Sequence, residues 1–142
     1  MEKYNAFISS IEIVDVFIED LSFKRHSFPY PAKYPQLSVN ISSGECNFIQ
    51  KKENLEIRQD VEFSIEAEGK EEKKKKTKIF ELHAGFTIVY KSPEKMTDEI
   101  FSTFNKNNVP VNIHPYLREV IHSSMSRAGI PPVVIPVLKI KR

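Results

Sequence analysis

From Phe80 to Ile88 the chain alternates: Phe80, Leu82, Ala84, Phe86 and Ile88 are apolar, while Glu81, His83 and Thr87 between them are polar. A period of two puts the first set on one face of a strand and the second on the other, which no helix can do. One half-apolar strand cannot stand alone, so the rest of the chain must supply its neighbours. Leu37, Val39 and Ile41 alternate with Ser38, Asn40 and Ser42, and Leu55, Ile57, Val61, Phe63 and Ile65 repeat the theme. A change of register is expected near Gln59 and Asp60. Earlier, Ile11, Ile13, Phe17, Leu21 and Phe23 fall on odd positions and Val14, Val16 and Ile18 on even ones. This predicts one long strand from Phe7 to Phe23, covered in part on both faces. Three prolines within residues 25–35 cannot donate to a ladder and predict an extended crossover, and the polar residues 68–78 predict a hairpin tip.

Helical spacing takes over after Ser92. Ser92 as cap and Pro93 at the first position predict a helix with Met96, Ile100, Phe101 and Phe104 on one stripe, stopping at Asn107–Asn108. A second helix is predicted from Pro110 or His114 to Ala128, carrying Ile113, Tyr116, Leu117, Val120, Ile121 and Met125. Gly129 can take the left-handed cap that ends it, and Pro131 and Pro132 stop its return, leaving an extended tail. The expectation is one α+β domain over residues 1–142, a four-stranded antiparallel sheet with two helices packed on one face.

The same residues narrow the chemistry. A net charge of +2 over 142 residues argues against a polyanion as the main partner, so nucleic acid is not expected. The lysines at 73–76 adjoin Glu68, Glu71 and Glu72 with no aromatic between them, which reads as a solvated turn. His26, His83, His114 and His122 match no metal spacing, and Cys46 without an identifiable base reads as a small apolar filler. The four glycines make no phosphate cradle. The chain is expected to be no enzyme, to use no cofactor or metal, and to be a reduced, cytoplasmic protein without membrane insertion.

Four stretches together resemble the SecB protein-export chaperone family: IEIVDVFIEDLSFKR, KYPQLSVNI, FELHAGFTI and NIHPYLREVIHSSMSRAGIPPVVIPV. The most specific are Pro115, Tyr116, Arg118 and Glu119 entering the long helix and the Ser-Arg-x-Gly-x-Pro-Pro run from Ser126 to Pro132. The resemblance implies a homotetramer built as a dimer of dimers. In it, Ile113, Leu117, Val120 and Ile121 would bury a subunit contact as well as cover the sheet. It implies client grooves for unfolded polypeptide lined by Leu37, Val39 and Ile41 beside Phe80, Leu82 and Ala84. Asp20 and Glu81 stand where such proteins meet the SecA motor, but the acid expected just after the run Asp20 to Phe23 is Lys24, and one residue is missing around Gly85. Family members carry a further helix and an acidic tail where this sequence reads LKIKR. The function implied is an ATP-independent holdase, for export or to protect a labile partner such as an antitoxin. The alternative is an interaction module that binds one folded partner through the sheet.

Overall fold

The computed structural model describes residues 2–26, 37–67 and 77–130. Its elements are α1 (Glu2–Ser10), β1 (Glu12–Arg25), β2 (Leu37–Lys51), β3 (Asn54–Ala67), β4 (Thr77–Lys91), α2 (Asp98–Asn107) and α3 (Val109–Arg127). The strands form one antiparallel sheet, as the alternation predicted, in the order β1-β4-β3-β2, and the described residues hold three helices rather than two. The crossover, most of the hairpin tip and the tail lie outside the described residues.

Chain position decides the layers. On β3 every odd residue from Leu55 to Ala67 is buried, and on β4 every even residue from Phe80 to Tyr90. Paired residues share a face, so Phe63 beside Leu82 and Ile57 beside Ile88 belong to one apolar layer. Helix α3 lies toward that layer: Asn112 Nδ2 donates to the Tyr90 hydroxyl at 2.6 Å, and Ile113, Leu117, Val120 and Ile121 are at most 5% exposed. Helix α2 adds Phe104, edge-on to Tyr90 at 5.5 Å, and Phe101, 4.7 Å from Phe48 of β2.

Three expectations change. Residues 7–10 are helical, not strand: Tyr4, Phe7, Ile8 and Ile11 fall at helical spacing, and Phe7 is fully buried, 5.9 Å from the Phe104 ring. Helix α2 begins at Asp98 with Thr97 as its cap, because Ser92 is already engaged. Its N–H donates to the Glu53 carbonyl and its hydroxyl to the Glu94 carbonyl, each at 2.7 Å. Met96 is therefore buried ahead of the helix rather than on its stripe.

The register change expected at Gln59 is on the neighbouring strand. β3 alternates through Gln59 unbroken, and the irregularity falls between Ser43 and Cys46 of β2. Gln59 is buried opposite it, and its Nε2 donates to the carbonyls of Gly44, Glu45 and Asp60. The bulge moves the inward set of β2 from odd to even, so Leu37, Val39 and Ile41 share a face with Cys46 and Phe48. Two further shifts in β1, at Ile13/Asp15 and Ile18/Asp20, explain why its apolar residues straddle both parities.

Helix α3 ends as predicted. Gly129 has φ +69, its N–H donates to the Ser126 carbonyl, and the Ile130 N–H reaches back to the Met125 carbonyl.

Candidate functional site

The sheet has two unlike faces and two unlike edges. Its outer face is polar. Arg58 on β3 donates to Glu19 and, at 2.5 Å, to Asp20, both on β1, with Asp60 at 3.4 Å. His83 on β4 stands between Asp20 at 3.2 Å and Asp60 at 3.8 Å, and Thr87 donates to Glu19 at 2.6 Å. Gly85 makes this crossing possible, since a Cβ there would sit 2.7 Å from Arg58 Nη2 and 2.8 Å from Asp20 Oδ2. Glu81 meets Lys78 at 3.0 Å and His26 at 2.6 Å, and those two contacts hold its carboxyl below the usual range. Asp20 and Glu81 are thus both on the outer face, and each is already partnered inside the chain. Lys24 lies beside Glu81 in the β1–β4 register.

The inner face holds the six expected groove residues, in two unlike settings. Phe80, Leu82 and Ala84 are at most 3% exposed and belong to the core. Leu37 and Val39 are half-buried and Ile41 is 42% exposed. The two sets are not side by side, because β3 runs between them and the rows read Ile41, Phe63, Leu82 and Val39, Ile65, Phe80. The α3 stripe at 113, 117, 120 and 121 is likewise spent within the chain, while Val111 and Tyr116 face outward.

Exposed apolar surface gathers at the edges. On β1, Ile13, Val14, Phe17, Ile18, Leu21 and Phe23 are each 37–63% exposed, and on β2 Ile41 and Ile49 are too. Among the described residues neither β1 nor β2 has a strand along its outer side. The mixed parity of β1 marks it as apolar on both faces, but periodicity alone does not show which of those residues one chain leaves exposed.

A cavity of about 340 Å³ opens beside β2, lined by Phe48, Gln50, Lys52, Pro93, Lys95 and Met96. Gln50 ties its walls together: Nε2 donates to the carbonyls of Lys52 and Glu94, and Oε1 accepts from the Met96 N–H at 2.7 Å. Cys46, farther along the same strand, has its thiol pushed up to about 11 by burial, which suits a packing role and not a nucleophile. The described residues hold no cluster of His, Cys, Asp and Glu fit for a metal, and no helix among them is long and apolar enough to cross a membrane.

A family model described as preprotein translocase subunit SecB matches residues 5–140. Among curated proteins no sequence matches. Among solved structures the chain is similar to the SecB-like chaperone Rv1957 of Mycobacterium tuberculosis, in complex with a ChAD peptide from the Rv1956 HigA1 antitoxin. That likeness has a TM-score of 0.79 and 15% identity, and it covers 99% of each chain.

Proposed function

Since this chain belongs to the SecB family, we propose that it is an ATP-independent holdase. It binds non-native polypeptide along the β2 edge of its sheet and keeps it from aggregating, for export or to protect a labile partner. The observation that carries this reading is the apolar side chains left exposed on both edge strands. An extended client offers backbone hydrogen bonds to an edge and generic side chains to the apolar positions, neither of which requires one sequence. Leu37, Val39 and Ile41 are the client-facing members, and Phe80, Leu82 and Ala84 form the packed layer behind them. The antitoxin peptide in complex with the mycobacterial chaperone supports a peptide segment of a partner protein as one kind of client. The assembly is a homotetramer in which β1 is covered by another copy.

The polar outer face favours a second reading, a module that docks one folded partner there. Against a basic motor of the SecA type that face is poorly prepared, since Arg58, His83, Lys78 and His26 already occupy Asp20 and Glu81, and Lys24 adds repulsion. Calorimetry with SecA should find weak binding, and tight, salt-sensitive binding would reject this view.

The holdase is tested by mixing the purified protein with a chemically denatured client without nucleotide. Aggregation should slow at near-stoichiometric ratio. Ile41→Asp, at an exposed position, should weaken protection with mass and circular dichroism unchanged, because a charge would have to be dehydrated where an apolar side chain sits. Leu82→Asp would report folding instead, its site being core. Failure to protect any of several unrelated clients would leave the single-partner module as the better account.

A further inference from the structure

We infer that the cavity between the β2–β3 hairpin and the β4–α2 connector is a client subsite for an apolar side chain flanked by carboxylates. This rests on the holdase reading and names which segments that surface selects.

The floor is apolar and fixed. Phe48 is half-buried against Phe101, Met96 is buried, and Pro93 completes the wall. The volume is at the small end of ligand pockets, suited to one side chain rather than to a cofactor. The walls are preorganised, since the Gln50 amide joins β2 to residues 94 and 96 and Ser92 joins the connector to Glu53. Little ordering then remains to be done on binding.

The rim is basic. Lys52 and Lys95 line the cavity and are exposed, and neither is in an ion pair among the described residues. Glu53 and Glu94 adjoin them in sequence, but neither lines the cavity. Lys52 is also the one non-glycine residue with positive φ, +55, among those described. It is the first of two loop residues between the paired Lys51 and Asn54, where glycine is the usual occupant of such a backbone. A cost in backbone strain is kept at a cationic side chain that borders an apolar hole. Among the described residues no strand pairs with the outer side of β2, whose Phe48, Gln50 and neighbouring Lys52 line the cavity, so an extended segment paired there could lower an apolar side chain onto Phe48 and bring its flanking carboxylates to the two lysines.

The test is fluorescence anisotropy on the intact protein with three labelled peptides that share one phenylalanine-centred core and differ only in flanks of Asp, Asn or Lys. The Asp-flanked peptide should bind about fivefold tighter than the Asn-flanked one, as expected of exposed charge pairs, and 0.5 M salt should erase most of the difference. Lys52→Glu with Lys95→Glu should invert the order while circular dichroism stays unchanged. Equal binding of all three, or a preference that survives the double substitution, overturns the subsite and leaves the holdase standing. A protein that binds none of the three and protects no client loses the holdase reading, and this subsite with it.

Discussion

Lys52 shows how a single residue can work against the fold that carries it. A left-handed backbone costs an L-residue about 1 kcal/mol or more, and glycine nothing of that kind. Lys52→Gly should therefore raise stability by about 1 kcal/mol, read as a higher urea midpoint at unchanged slope, while weakening the Asp-flanked peptide. A lower midpoint would show that the side chain, not the backbone, governs this turn. His114 is the second case. Its Nε2 is buried without a partner, and desolvation, with Arg118 nearby, depresses its folded value below the ordinary 6.5. The unfolded chain then takes the proton first, so the stability tied to His114 is present above 6.5 and lost as pH falls below it. Replacement by glutamine should flatten that loss in denaturation midpoints taken between pH 7.5 and 5.5, and an unchanged pH profile would remove His114 from the account.

At the level of elements, the sheet was legible because β3 and β4 are central strands whose alternation reports burial directly. Gly129 was legible because few other residues suit its cap. Helix α1 was not: its apolar residues run straight into those of β1, and only the fixed place of Phe7 beside Phe104 separates the two. The irregularity near Gln59 was legible but assigned to the wrong strand, since Gln59 reads as an outward polar residue until the carbonyls it satisfies across the strand are known. Asp20 and Glu81 both lie on the outer face, but their partners come from β3, from β4 and from His26 just past β1, and leave no mark in sequence spacing. A helix of nine residues held by one buried side chain should detach before the rest unfolds. Phe7→Ala should cost about 3 kcal/mol locally. Hydrogen exchange should accelerate at residues 2–10 with β3 and β4 protected as before; uniform acceleration would mean that α1 is part of the global folding unit.

The whole molecule is set by its strand order. With β1 and β2 at opposite ends, one edge can be used for assembly while the other stays available. Edge strands with exposed apolar residues on both faces are a liability unless covered, and closed two-fold pairing covers them. Light scattering at micromolar concentration should give four times the 16.5 kDa chain mass, and a monomer would reject the assembly. Two copies joined along β1 would make eight strands with a β2 at each rim, about 34 Å apart at the usual strand spacing. About ten extended residues bridge that distance. A chain caught at one rim would hold its next segment at high local concentration near the other, so retention would grow with client length through avidity, even where each single contact is weak.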